Sequence, residues 1–384
     1  MSIWGPLAQR YETKQPRKML ALDGGGIRGV ITLEILAEME SQLKAKLGKG
    51  DDFRLGHYFD YIGGTSTGAI IAAGLSIGMS CQQLLDFYLN RGADMFDKTF
   101  ILKRLKSLYE SGPLLNMLKE TFGGDTDLIV NKGKYQCLLL VVTMNRTTDS
   151  PWPISNNPLA KYNDEKRPDC NARIPLYKLV RASTAAPVYF PPETLQWDPQ
   201  DEDKTFVFVD GGVTPYNNPA FLMYRMATQP AYNLNWEVGE DKLLIVSVGT
   251  GSAPSGGSYK NLLDTAQNLP NNLLYTMQVD QDINCRTVGR CMYGAPIDRE
   301  LQDLIPMDSE GNIDELSRAS ERDFLYARYN ADLSRQGLDS LGLQHIVPAH
   351  VGEMDSVKYI SDLQEVGKAA AKQQVSLKHF GSFV

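Results

Sequence analysis

Two stretches of this chain repeat one arrangement: a short apolar run, a cluster of glycines, then a run patterned as a helix. Lys18–Asp23 (KMLALD) leads into Gly24-Gly25-Gly26-Ile27-Arg28-Gly29, and HYFDYIGG leads through Gly64-Thr65-Ser66-Thr67-Gly68 into AIIAAGLSIG. A short apolar run bounded by turn residues is the pattern of a strand buried on both faces. Strand, tight turn and helix in series are the halves of βαβ units, whose crossovers cover a parallel sheet on both faces. The chain is therefore expected to fold as α/β, with a mostly parallel central sheet flanked by helices and KMLALD near its middle.

The remaining patterning fills in this frame. Val30, Leu33, Leu36, Met39, Leu43 and Leu47 recur at helical spacing with Glu34, Glu38 and Glu40 between them, an amphipathic helix. Tyr61–Met79 carries no formal charge and approaches the roughly 20 residues of a membrane span. Its five glycines and its hydroxyl side chains make it instead a buried strand, turn and helix. Ser80 and Gln83 form a capping box opening a helix from Cys81 to about Asn90, and Ser111 with Pro113 opens another through Leu118. Further strands are expected at Tyr135–Met144, Thr205–Asp210 and Lys242–Val248. The Pro-, Asn- and Asp-rich stretch Asn145–Asn171 reads as largely loop. Beyond residue 252 the segments read as helical, including Asn272–Val279 and Val357–Val375. The expected division is an N-terminal extension (1–17), a catalytic domain (18–252) and a helical C-terminal annex (253–384) packed on the same domain.

At 384 residues and 42% hydrophobic, the chain can fill one large core. A net charge of −7 argues against a nucleic-acid duplex as partner. Lys103, Arg104 and Lys106 form a local basic patch that could meet anionic headgroups, although such runs are usually solvated helix faces. The five cysteines are scattered without disulfide or metal-knuckle spacing, so no metal is expected and a reducing compartment is. The first residues carry no apolar signal region, which points to the cytoplasm.

Three constellations carry chemistry. Ser66 in Gly-x-Ser-x-Gly, between an apolar strand and an apolar helix, fits a nucleophile on a strained turn, with Gly64 and Gly68 allowing close approach of strand and helix. The hydroxyl sits at a helix N-terminus, where a developing anion is favoured. The glycines after Asp23 expose backbone N–H groups that could line an oxyanion hole or cradle a phosphate, because Gly24, Gly26 and Gly29 also satisfy a dinucleotide fingerprint. Asp51 and Asp52 come late, in a polar loop, for the ribose-binding acid of that fingerprint. Asp210-Gly211-Gly212 places an acid at a strand's carboxyl end, where α/β sites assemble.

In this order and at this separation, Asp-Gly-Gly-Gly-x-Arg-Gly, Gly-Thr-Ser-Thr-Gly and Asp-Gly-Gly resemble the patatin-like phospholipases. The resemblance runs from about Lys18 to Gly251 and includes Ala182–Pro187 with Tyr189-Phe190-Pro191, Asn217-Asn218-Pro219 and Ser247–Gly251. It implies an α/β-hydrolase-related three-layer sandwich and a Ser66–Asp210 dyad without histidine. It further implies an oxyanion hole on Gly24, Gly25 and Gly26, with Arg28 orienting that loop, and no cofactor. The implied substrate is a phospholipid or another acyl-ester lipid, reached by transient contact of a cytoplasmic protein with a membrane surface. The tail resembles that of bacterial patatin-like proteins, some of which are antiviral effectors switched on by cyclic nucleotides. The arginine-bearing stretch Asn284–Cys291 is the place to look for such an activator, against the alternative of a solvated helix with two packed cysteines.

From the residues alone two other classes stay open: an oxidoreductase binding a dinucleotide on the glycine loop, and a non-catalytic lipid- or nucleotide-binding module. His345 or His350 could formally complete a triad, but neither has a motif around it, and His57 precedes a strand.

Overall fold

The computed structural model describes residues 2–96, 112–187, 190–198, 200–252, 262–295, 297 and 321–384. Lys103, Arg104, Lys106, Ser111 and Tyr189 lie outside them. Among the described residues nine strands form one sheet. The strands are β1 (Arg17–Leu22), β2 (Tyr61–Thr65), β3 (Leu138–Asn145), β4 (Ser150–Ser155), β5 (Glu193–Asp198), β6 (Asp201–Asp210), β7 (Leu243–Val248), β8 (Arg290–Tyr293) and β9 (Leu325–Tyr329). β1 pairs in parallel with β2 on one side and β7 on the other, with β9 and β8 continuing the parallel series and β3 lying parallel to β2. Apolar residues of β1 from Met19 to Leu22 are wholly buried, as a central parallel strand requires.

The far side of β3 is antiparallel. β4 pairs with residues 140–145 of β3, and so overlaps both the stretch taken by β2 (138–142) and the stretch taken by β6 (143–145). One edge of a strand holds one partner per residue, so β2 and β6 share the opposite edge of β3, end to end. β5 hangs antiparallel on β6.

Helices pack on both faces: α1 (Gly29–Lys46), α2 (Thr67–Ser76), α3 (Cys81–Phe96), α4 (Gly112–Phe122), α5 (Leu176–Ser183), α6 (Ala220–Thr228), α7 (Leu262–Val288) and α8 (Ile360–Gln374). Every residue of α2 is buried, which explains its lack of charge, and no helix among the described residues is long and apolar enough to cross a membrane. The capping box at α3 is formed in both directions, Ser80 N–H to Gln83 Oε1 at 2.8 Å and Gln83 N–H to Ser80 Oγ at 3.1 Å.

Several expectations change. The stretch 145–171 contains β4, whose Pro151 and Pro153 alternate so that their missing N–H groups face the open edge. The tail beyond residue 252 is not helical throughout: β8 and β9 extend the central sheet, so the division at 252 cuts across one hydrogen-bonded layer. Asn272–Val279 lies inside the longer α7. α1 is not simply amphipathic either, since Glu34 is buried beneath α8 and accepts from Gln364 Nε2 at 2.8 Å.

Candidate active site

β2 ends at Thr65, the next residue, Ser66, has φ 55° and ψ −121°, and α2 begins directly after it at Thr67. Such a conformation in a residue with a side chain costs on the order of 1–3 kcal/mol and persists only where its surroundings over-determine it. Here they do. A Cβ on Gly64 would lie 2.0 Å from the Gly68 carbonyl oxygen, and one on Gly68 would lie 2.3 Å from that of Leu22, so only glycine lets strand and helix meet this closely. The Ser66 N–H donates to Ser183 Oγ at 2.9 Å, and that hydroxyl donates to the Val142 carbonyl at 2.6 Å, tying the turn to β3.

Asp210 closes β6. Its carboxylate Oδ2 accepts from Ser66 Oγ at 2.6 Å, and Oδ1 accepts from the Gly212 N–H at 2.7 Å. Burial pushes this carboxyl up to about 6, opposed by the Ser66 and Gly212 hydrogen bonds and by the Arg181 guanidinium. Arg181 lies on α5 two residues before Ser183 and is 1% exposed. Its Nη2 donates to the Pro191 carbonyl at 3.1 Å, while Nε and Nη1 have no hydrogen-bond partner among the described residues. The Ala185 carbonyl accepts the Asp210 N–H at 2.9 Å, so the Ala182–Pro187 motif supports both members of the pair.

The glycine loop after β1 lies beside this pair. The Gly24 N–H donates to the Asn217 carbonyl at 3.2 Å, and the Gly24 carbonyl accepts from Thr250 Oγ1 at 3.0 Å. The Ile27 N–H donates to the Met354 carbonyl at 3.0 Å and that of Arg28 to Gly25 at 3.3 Å. This leaves the N–H groups of Gly25 and Gly26 as the loop's unengaged donors among the described residues. Gly26 has φ +61°, and a Cβ on it would lie 2.2 Å from the Met354 carbonyl oxygen. Arg28 reaches backbone only, with Nε to the Gly25 carbonyl at 3.4 Å and Nη1 to that of Gly352 at 3.2 Å. Burial pulls its pKa down to about 10, against Glu353 and Asp23.

None of the four histidines hydrogen-bonds to Ser66 or Asp210 among the described residues. His57 caps its own short helix through the Arg54 N–H, His345 meets Glu365, His350 stacks on Tyr359, and His379 meets the Tyr329 hydroxyl. Asp51 pairs with Lys44 on the surface. Both arginines of the 284–291 stretch are engaged within the chain: Arg286 with Asp282 and the Ala295 carbonyl, and Arg290 with Glu240. Ser183, Arg181 and Asn217 also line the candidate site; Ser183 and Asn217 fall in the motifs of the resemblance and Arg181 in none, and no sequence signal assigned any of them a role. A hydroxyl or guanidinium gains such a role only from what lies across the fold.

The family model for patatin-like phospholipases matches residues 20–224. Patatin group M-3 of Solanum tuberosum is 30% identical over 247 residues, covering 61% of this chain and 60% of its own, and patatin-17 of Solanum cardiophyllum is 31% identical over the same coverage. The chain thus spans less than two thirds of the length of these relatives. Human GIVD cytosolic phospholipase A2 aligns over 96% of this chain and 60% of its own, with TM-score 0.45 and 13% identity. The matched segment takes in more than half of the chain, from the glycine loop through the elbow serine to Asp210, and the chain belongs to the patatin-like phospholipase family.

Proposed function

We propose that this protein is a lipid acyl hydrolase of the phospholipase A or lysophospholipase type, with Ser66 as nucleophile and Asp210 as its base. The observation that carries the reading is the 2.6 Å hydrogen bond from a strained, half-buried elbow serine to a carboxylate that burial has made more basic.

Ser66 Oγ attacks the ester carbonyl carbon while its proton passes to Asp210 Oδ2. The resulting oxyanion is held by the Gly25 and Gly26 N–H groups and favoured by the N-terminus of α2. Collapse breaks the bond to the alcohol oxygen, which takes the proton from Asp210 and leaves as the lysophospholipid or, from a lysophospholipid substrate, as the glycerophosphodiester. Water then gives its proton to Asp210 and attacks the acyl-serine, and the second collapse releases the fatty acid and restores Ser66. A carboxylate can serve as base here because its pKa near 6 lies close to neutral pH, where general bases are most effective. The protein is read as cytoplasmic and as touching membrane surfaces only in turnover. An activating cyclic nucleotide gains no support at 284–291, because Arg286 and Arg290 already have partners.

The test is labelling by a fluorophosphonate probe alongside lipid profiling of membranes exposed to the wild type and to Ser66→Ala. Serine-dependent labelling with release of fatty acid is expected. A wild type that takes no label and releases no fatty acid would overturn the reading.

A further inference from the structure

The loop that would hold the oxyanion is fixed largely from the far end of the chain. Asp23, the residue before Gly24, is wholly buried, and the guanidinium of Arg328 grips it with two bonds, Nη1 to Oδ1 at 2.8 Å and Nη2 to Oδ2 at 2.5 Å. Arg328 stands on β9, opposite Ser247 of β7, and reaches across that strand to the end of β1. Its Nη1 also donates to Ser247 Oγ at 2.7 Å, and Ser247 in turn donates to Asn218 at 3.2 Å. On the other side of the loop, the carbonyls of Gly352 and Met354 receive Arg28 Nη1 and the Ile27 N–H.

A buried ion pair contributes little net stability compared with well-packed apolar residues, because removing both charges from water offsets their attraction. What a bidentate pair supplies is direction: the planar fork accepts a carboxylate in one orientation. Asp23 is joined to Gly24, so fixing its side chain fixes where the loop leaves the sheet and where the next two N–H groups point.

We propose that Arg328, acting through Asp23, is a positioning residue for the Gly25–Gly26 donors, so that the C-terminal strand β9, more than a hundred residues beyond the family-matched segment, is part of the catalytic apparatus. This rests on the acyl-hydrolase reading above. In the tetrahedral intermediate the loop must present both N–H groups without rearranging, and a displacement of about 1 Å can lower rates on the order of a hundredfold. Ground-state binding of the acyl chain does not depend on that aim.

The experiment is steady-state hydrolysis of a soluble p-nitrophenyl ester by the full chain, with kcat expressed per active site titrated by a fluorophosphonate. The variants are Arg328→Lys, which keeps the charge and loses the fork, Arg328→Met, and the neutral double variant Asp23→Asn/Arg328→Met. The expected result is a fall in kcat per titrated site of roughly ten- to a hundredfold, smaller than the loss of a whole oxyanion donor, with KM within about threefold. The acid limb of the pH profile, set by Asp210, should stay in place. Should Arg328→Met fold poorly, the double variant removes the unpaired buried carboxylate and keeps the comparison available. A purely structural role would lower the number of titratable sites and leave kcat per site unchanged. That result in Arg328→Lys and in the double variant overturns the proposal while leaving the hydrolase reading intact. A wild type that takes no label removes both.

Discussion

Thr65 and Asp210 pair with consecutive residues of β3: Thr65 faces Val142, and Asp210 faces Thr143 on the same edge. β2 arrives running parallel to β3 and stops, and β6 arrives from the opposite direction and stops against it. The residue after Thr65 is Ser66, so the two strand ends put a hydroxyl and a carboxylate in contact across 144 positions of sequence. A slip of one residue in either strand would turn the side chain to the other face of the sheet, so register as well as fold makes this contact.

Ser66 is both the proposed nucleophile and a strained residue, and the two properties separate by substitution. Ser66→Ala and Ser66→Gly should both abolish ester hydrolysis and fluorophosphonate labelling. Glycine, which adopts positive φ without a steric cost, should also raise Tm above that of the alanine variant, by the equivalent of about 1 kcal/mol. Thermal melts of the two inactive variants check this. Equal Tm values would mean that the elbow is unstrained.

Asp210→Asn should lower the rate by at least about two orders of magnitude, the usual scale of a positioned base. Its effect on stability should have the opposite sign at neutral pH. The folded-state pKa of about 6 lies above the roughly 3.9 of an unfolded aspartate, so this group's stabilising contribution is full below about pH 4 and is lost as pH rises through 6. The wild type at pH 8 therefore carries a penalty of order 2–3 kcal/mol that the amide does not. Melts at pH 8 should favour Asp210→Asn, with the advantage shrinking towards pH 4.

The pH–rate profile should fall on its acid side near pH 6, where Asp210 takes up a proton. Arg181 opposes that protonation, so Arg181→Met should move the limb to higher pH and Arg181→Lys should restore much of its position. A limb unmoved by Arg181→Met would show that this guanidinium does not act on the base. Replacing His57, His345, His350 or His379 singly should leave most activity at pH 8.

Gly26→Ala should lower kcat about a hundredfold or more with little change in KM, as expected when an oxyanion donor is misdirected. The close approach of the Met354 carbonyl adds a second effect, a lowered Tm, because a Cβ at φ +61° would also push the 352–354 segment off the loop. An unchanged kcat on a soluble ester would remove this loop from the chemistry.

The local pieces of the candidate site were readable from the amino-acid string. Glycines at 64 and 68, an uncharged helix after the turn and an apolar strand ending in Asp23 are each dictated by neighbours a few residues away, where steric allowance and solvent exclusion act directly. The nine-stranded sheet was only partly readable. β4 hides behind prolines that an open edge tolerates, and the five-residue β9 has neither period nor length to mark it in a polar tail. Tertiary structure alone decided that Ser183 would hold the elbow N–H and that Arg328 would grip Asp23 from 305 positions away. Tertiary structure also left Gly25 and Gly26 as the loop's unengaged donors among the described residues by engaging Gly24 with Asn217. The reason is physical: a backbone conformation is set by its own side chains and near neighbours, whereas the partner of a buried polar group is set by which strands lie side by side and in what register. That long-range pairing leaves no local pattern in the sequence.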